Sequence, residues 1–379
     1  MKIVFVTNFY NHHQKPLADA FYSLIGDGYS FIETEPISEE RLKMGWGGDE
    51  KPDYVLQNYK DEFSRNKCQD IIDSADVVIL GSAPWRMIKT RLKKGRLTFI
   101  YSERLYKKRL PIFKLPFHFL RFWARYNRFK NVYLLCASAY AAADYMKTFS
   151  FLGKMYKWGY FPEFKEHNDL ETLIKLKTKS SILWVGRFIE LKHPEYAIAV
   201  AKHLKEKGYD FTLNMIGNGA LEDHIAQMIQ DENLEGYVNM MGAMKPEQVR
   251  ENMEKSEIFL FTSDRNEGWG AVLNESMNSA CAVVADKAIG SVPFLLSDGE
   301  NGLLYHGGDI NALCGSVEML LENTLKREHI AKNAYTTIKN EWNAQTAARK
   351  MIFICEKTLS EKGKPLYYDS GICSIADKM

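Results

Sequence analysis

The sequence predicts an α/β protein built from two doubly wound, parallel-sheet domains. Three observations lead there. The chain has 379 residues, too many for one ordinary core and suited to two domains of average size. Short apolar runs alternate with longer amphipathic stretches from end to end, the pattern of βα units whose parallel sheet is covered on both faces. With 46% apolar and 26% charged residues the composition is globular, which excludes a disordered or collagen-like chain.

In the first half, residues 3–6, 77–80, 97–100 and 132–135 are strand-length and rich in β-branched or aromatic side chains. Residues 16–25 and 63–74 carry the helical period between them. The second half repeats the rhythm, with strands at 181–185, 211–216, 237–241, 258–261, 282–285 and 302–304. Helices fall at 193–207, 221–231, 246–255 and 271–279, the first opened by Pro194. Residues 164–179 are polar, rich in Lys and Glu, and poor in strand signal, and mark the boundary. Domains are therefore expected at 1–165 and 166–345, with a helix and tail over 346–379 packing back on the first.

No apolar run approaches the ~18 residues of a membrane span. The apolar start at residues 1–7 is too brief for a signal peptide and reads as a buried strand. The six cysteines form no Cys-x-x-Cys pair, which argues against zinc and thioredoxin-type chemistry and for buried, reduced thiols in the cytoplasm.

Chemistry is sought beyond the carboxyl ends of parallel strands. The strand at 181–185 leads into Gly186-Arg187 and, five residues on, Lys192; two cations there would neutralise a diphosphate leaving group, or form a solvated basic loop. The strand at 211–216 leads into Gly217-Asn218-Gly219, which suits close approach to phosphate or a plain strand–helix turn. After the strand at 258–261 come Glu267, Gly268, Trp269 and Gly270, with Glu275 expected on the second turn of the next helix. Two carboxylates there offer paired acceptors for sugar or ribose hydroxyls.

In this order the pieces resemble the retaining glycosyltransferases of family 4. Glu267…Glu275 stands for their Glu-x7-Glu, Gly186-Arg187…Lys192 for their Gly-Arg…Lys, Gly217-Asn218-Gly219 for their Gly-x-Gly, and Asn301-Gly302-Leu303-Leu304 for their Asn-Gly-Leu-Leu turn. The resemblance covers about residues 180–350. It implies the GT-B fold, two Rossmann-like domains facing across a cleft, with Arg187 and Lys192 on the donor diphosphate, Glu275 on the ribose and Glu267 on the transferred sugar. It also implies a hexosyl transfer from a nucleoside-diphosphate sugar as co-substrate, UDP-sugar first and GDP-mannose second, to a glycan or lipid-linked acceptor in surface polysaccharide assembly. One departure is Phe294, which replaces the carboxylate of the family's Gly-Gly-x-Pro-Glu. The rival readings are a GT-B nucleotide-sugar epimerase and a degenerate nucleotide-binding partner subunit.

The N-terminal half diverges more. Its first strand leads into a loop with no glycine, where His12, His13 and Gln14 face the expected cleft and either contact donor phosphate or acceptor hydroxyl, or cap the next helix. Glu103 follows the strand at 97–100 and is either catalytic or paired with a neighbouring Arg; His118 reads as a packing residue. No Asp-x-Asp, His-Glu-x-x-His or EF-hand loop occurs, so no metal and no further cofactor are expected.

The net charge of +2 hides an asymmetry: residues 86–130 hold 15 Lys/Arg and a single acid, Glu103, and so carry +14 against −12 for the remainder. Ten aromatic residues share that stretch. Phe119, Phe122, Tyr126 and Phe129 would share one helix face beside Arg121, Arg125 and Arg128. That pattern fits peripheral contact with an anionic membrane, or a helix docked on the core with a basic rim; no nucleic-acid-binding module is present.

Overall fold

Residues Ile3–Thr7 form β1 with all five side chains buried, as a central parallel strand covered on both faces requires. The computed structural model describes residues 1–39, 42, 50–107, 112–361 and 365–377. It divides into two units, residues 1–163 with 341–379, and residues 164–340, each built on one parallel sheet.

In the N-terminal unit β1 is followed by β2 (Tyr29–Glu33), β3 (Val55–Gln57), β4 (Val77–Leu80), β5 (Leu97–Ser102), β6 (Val132–Cys136) and β7 (Met155–Lys157). Their order is β3-β2-β1-β4-β5-β6-β7, so the winding reverses between β1 and β4. The sequence pattern does not disclose β2, β3 or β7. β3 and β7 have three residues each, too few to show a period, and only Gly26–Gly28 separates β2 from the helix Lys15–Ile25. The edge of β7 is covered by the chain's tail. Lys157 N donates to Ser374 O (2.8 Å), Cys373 N to Lys157 O (2.9 Å) and Ala376 N to Met155 O (3.0 Å). The helix Ala344–Ser360 packs against Lys15–Ile25.

The C-terminal unit holds β8 (Thr178–Val185), β9 (Thr212–Ile216), β10 (Val238–Met240), β11 (Ser256–Phe261), β12 (Ala282–Asp286) and β13 (Leu303–Tyr305). The order β10-β9-β8-β11-β12-β13 places the reversal between β8 and β11. The polar stretch 164–179, read as a boundary poor in strand signal, holds the helix Leu170–Lys175 and the first residues of β8. Phe164 packs on Tyr335 (ring centroids 5.7 Å), and His167 N donates to the Tyr335 hydroxyl (3.0 Å), so this segment belongs with residues 164–340. Lys177, 8% exposed, gives its ammonium to the carbonyls of Met253 (3.1 Å), Ser256 (2.9 Å) and Ser279 (2.8 Å). It thereby ties down the ends of the helices Pro246–Lys255 and Val272–Asn278.

The basic stretch is less uniform than its sequence. Arg91 is fully buried and donates to Thr98 Oγ1 (3.0 Å) and Leu97 O (2.6 Å), so it contributes no surface charge. Lys108 and Arg109 lie outside the described residues. The helix expected to carry Phe119, Phe122, Tyr126 and Phe129 runs Leu115–Phe122 and continues as a π-turn, Trp123–Asn127. Phe122 and Tyr126 enter the core at 7% and 8% exposure, while Phe119 stays outside at 37%. All six cysteines are free and buried. Among the described residues no helix is long and apolar enough to cross a membrane.

Candidate functional site

Three loops at the carboxyl edge of the second sheet are bound together through their backbones. Gly186 N donates to Ile216 O (3.0 Å), Phe188 N to Asn218 O (2.8 Å) and Leu221 N to Phe188 O (2.9 Å), joining the loops after β8 and β9. This crossing requires Gly217. Its φ is +141°, and a Cβ there would lie 1.8 Å from Gly186 O. The glycines read as an approach for phosphate thus already serve the approach of one loop to another. The loop after β11 joins them where Asp264 N donates to Leu191 O (2.9 Å) and Thr262 Oγ1 to Lys192 O (2.7 Å). Trp184 Nε1 donates in turn to Thr262 Oγ1 (2.8 Å).

On this frame the Lys192 ammonium is ion-paired with Glu267, each side chain only 15% exposed. Arg187 is exposed, with no ion pair or hydrogen bond of its side chain among the described residues. Gly270, at φ +81°, packs so closely on Phe261 that a Cβ would lie 2.3 Å from its ring. The helix after it spans Val272–Asn278, so Glu275 stands on the first turn rather than the second. Glu275 is partly buried, and burial pushes its carboxyl up to about 7 against the opposing pull of Arg250. Arg250 donates to Glu275 O (3.2 Å) and Asn278 Oδ1 (2.5 Å), which fixes the helix that carries Glu275.

One of the expected donor contacts, Trp269, has a structural duty. The Trp269 ring is fully buried, its indole N–H given to Asn274 Oδ1 (2.9 Å). The ring of Phe294, the residue that departs from the family pattern, lies with its centroid 6.3 Å from that of Trp269.

His193, the residue after Lys192, is not singled out by the sequence pattern. It takes the left-handed backbone (φ +48°) that turns the chain into the helix Pro194–Glu206. Its Nδ1 bonds Glu195 (2.6 Å), its Nε2 lies 3.7 Å from Asp264, and its ring stacks on Tyr196 at 4.5 Å. The Glu195 carboxylate, helped by Asp264, raises its pKa. A cavity of about 580 Å3 opens here, lined by His193, Glu195, His224, Asp264 and Asn266.

The N-terminal candidates stand at the carboxyl edge of the first sheet. Asn11 Oδ1 accepts from His13 N (2.9 Å) and Gln14 N (3.1 Å), which makes the turn before the helix Lys15–Ile25; its N-cap residue, Gln14, makes no side-chain capping bond. The His12 and His13 rings lie 3.9 Å apart, and burial, then His12, push His13 down to about 3, so it is neutral at pH 7. Glu33, completely buried at the end of β2, receives Tyr10 N (3.0 Å), Gln57 (2.9 Å) and the Tyr59 hydroxyl (2.9 Å), and so holds this loop from below. Glu103 accepts from the Tyr160 hydroxyl (2.9 Å) and pairs with Lys107 (3.3 Å), while Arg104 turns to Asp144 (3.6 Å). Among the described residues no group of three His, Cys, Asp or Glu is placed to hold a metal ion.

The model for glycosyl transferases group 1 matches residues 166–337. This segment belongs to that family. Among curated relatives, the amylovoran biosynthesis glycosyltransferase AmsK of Erwinia amylovora is 29% identical over 181 residues, 46% of this chain and 44% of the relative. The N-acetylgalactosamine-N,N'-diacetylbacillosaminyl-diphospho-undecaprenol 4-alpha-N-acetylgalactosaminyltransferase of Campylobacter jejuni is 32% identical over 166 residues, 44% of each chain. The match thus spans under half the length of these two relatives. Anabaena Alr3699/HepE, solved in complex with UDP, superimposes with a TM-score of 0.67 over 95% of this chain and all of its own, at 16% identity. That likeness extends the GT-B fold, two Rossmann-like units, to the N-terminal half, which the group 1 model does not reach.

Proposed function

We propose that the chain is a retaining glycosyltransferase. It moves a hexosyl unit from a nucleoside-diphosphate sugar, UDP-sugar first, to a glycan or lipid-linked acceptor in polysaccharide biosynthesis. The observation that carries the reading is the ion pair of Lys192 and Glu267, from the loops that leave β8 and β11, the two strands flanking the winding reversal, with Glu275 on the helix that follows the second loop. Arg187, exposed in the loop after β8, and Lys192 meet the diphosphate. Glu275 as a carboxylate accepts from the ribose hydroxyls, and Glu267 from the transferred sugar.

In the transfer the bond from the anomeric carbon to the diphosphate oxygen breaks, and the acceptor oxygen bonds the same carbon on the same face. The acceptor proton passes to the leaving phosphate oxygen. Retention follows the family resemblance. The charge that develops on the diphosphate is met by Arg187 and Lys192, so no metal is invoked. His12, His13, Gln14 and Glu103 are assigned to acceptor recognition; His13, neutral at pH 7, offers a ring nitrogen rather than a charge.

Support for the donor comes from HepE, whose crystals hold UDP, and for a lipid carrier from the C. jejuni relative, whose name specifies a diphospho-undecaprenol acceptor. The catalytic unit would work at the inner face of the cell membrane. Thermal-shift screening against UDP, GDP and ADP and their sugars tests the reading, because a ligand of the native state raises its stability. UDP and a UDP-sugar should raise the midpoint; no shift with any nucleotide would remove the donor site. A free epimerised sugar released without acceptor would transfer the assignment to an isomerase.

A further inference from the structure

The helix Leu115–Phe122 and its π-turn present a second apolar face, opposite the one that enters the core. Phe117, Leu120 and Trp123 are 66%, 61% and 49% exposed, and Phe113, just before the helix, is 79% exposed. At spacings of four, three and three residues they form one outward stripe. A second segment extends it. Phe149, 69% exposed, sets its ring edge-on to Phe119 at 6.4 Å, and Leu152 follows at 52%.

The turn that carries Phe149 is held, not loose. Asn127 Nδ2 donates to Phe149 O (3.3 Å) and Ser150 Oγ (3.2 Å), and Thr148 and Ser150 share a hydroxyl bond (3.0 Å). Phe149 and Phe151 both take positive φ, +51° and +55°, which bulky residues rarely adopt. This backbone sends Phe151 inward at 5% exposure and Phe149 outward. A monomer seldom spends apolar surface this way without a partner.

The charge around the stripe names the partner. Lys114, Arg121 and Arg128 are exposed beside it, without ion pairs among the described residues. The sequence holds no Asp or Glu between Arg104 and Ala143. A second copy of this face would bring like charges together, whereas an anionic surface meets both the cations and the aromatics. We propose that this face docks the N-terminal unit on an anionic bilayer, with Phe117, Leu120, Trp123 and Phe149 in the headgroup–acyl boundary and Lys114, Arg121 and Arg128 on lipid phosphates. The face differs from the one the sequence pattern singled out, because Phe122 and Tyr126 are spent on the core. The proposal rests on the proposed function only for its purpose, bringing the enzyme to lipid-carried acceptors. Vesicle binding is read without donor or turnover, so failure of either reading shows separately.

The test is flotation of the full chain with vesicles of phosphatidylcholine alone and of phosphatidylcholine mixed equally with phosphatidylglycerol. The chain should float with the anionic vesicles and far less with the neutral ones. Salt of about 1 M, which shrinks the Debye length to about 3 Å, should weaken binding without abolishing it. Phe117→Ala with Trp123→Ala should lower partitioning about tenfold or more, and Arg121→Glu with Arg128→Glu by at least as much. Both pairs face solvent, so circular dichroism melts should match the parent. Trp123→Phe should still float but lose the quenching of its fluorescence by brominated lipid. Absence of flotation, equal flotation of either double variant, or a solution dimer that Phe117→Ala with Trp123→Ala dissolves would overturn the proposal.

Discussion

Lys192 and Glu267 are ion-paired to each other, one from the loop after β8 and the other from the loop after β11. The family resemblance assigns them to different parts of the donor, the diphosphate and the sugar. Without donor each neutralises the other, so a partly buried cation and a partly buried anion are stored together at small electrostatic cost. A bound donor would give each a second partner in the same place.

Removing the cations separates this storage role from catalysis. Arg187→Ala and Lys192→Ala should each lower transfer on the order of 10²-fold, as positioned electrostatic groups do. Only Lys192→Ala should also lower the melting temperature, because it strands Glu267, whereas Arg187 is exposed. Glu267→Ala should lower turnover more than nucleotide affinity. Transfer should survive EDTA; full loss on chelation, restored by Mg²⁺ or Mn²⁺, would contradict the assignment of the leaving-group charge to Arg187 and Lys192.

Glu275 should make nucleotide binding pH-dependent. Its carboxyl is held at about 7 by burial, and ribose hydroxyls need the carboxylate. Affinity for UDP should therefore rise as pH rises through about 7, and Glu275→Gln should flatten the profile. Glu275→Ala should weaken binding by about 1.5–3 kcal/mol, the worth of a charge-assisted hydrogen bond. Stability without ligand runs the other way. A carboxyl whose folded pKa is raised contributes fully below its ordinary value and loses that contribution as pH rises through about 7. Melting temperatures that do not fall across this window, or that fall equally in Glu275→Gln, would show that another group titrates.

Gly217→Ala should destabilise the C-terminal unit by at least about 1–3 kcal/mol, the usual penalty of a strained backbone, before the clash with Gly186 O is counted. Urea unfolding measures it. A variant of parent stability that merely loses nucleotide would return the glycine to phosphate contact alone.

Lys177→Met should cost about 3–5 kcal/mol, because it leaves several buried carbonyls without their donor. The ends of two helices loosen with it, one of which carries Glu275. Amide hydrogen exchange should therefore speed up in Pro246–Lys255 and Val272–Asn278 more than in β9 and β10. Uniform acceleration over the whole unit would point to a general loss of packing instead.

Much of the site was open to reading in one dimension because its parts are local. Arg187, Lys192 and Glu267 lie in the loops that directly follow strands of strong β signal, Glu275 lies on the helix after the second of them, and β8 and β11 are buried apolar runs. Glu33 was not legible. It lies at the end of β2, which the sequence pattern does not separate from the preceding helix, and its partners Tyr10, Gln57 and Tyr59 come from distant positions. His193 escaped for a different reason: nothing in a sequence marks a histidine for left-handed backbone, since the strain is repaid by Glu195, Tyr196 and Asp264 once folded.

By itself the sequence determined the alternation of strands and helices, and with it the two parallel sheets, because burial on both faces imposes continuous apolar runs that no surface segment shares. It also determined the order of the cations, glycines and carboxylates along the chain. Tertiary structure alone decided which of them meet. The pairing of Lys192 with Glu267 exists because β8 and β11 are neighbours in the sheet though far apart in sequence. The raised pKa of Glu275 exists because the fold buries its carboxyl, against the opposing pull of Arg250. The same holds for the aromatic helix. A helical period can show that Phe117 and Phe122 lie on different faces, but which face the core takes is settled only by the surface it packs against.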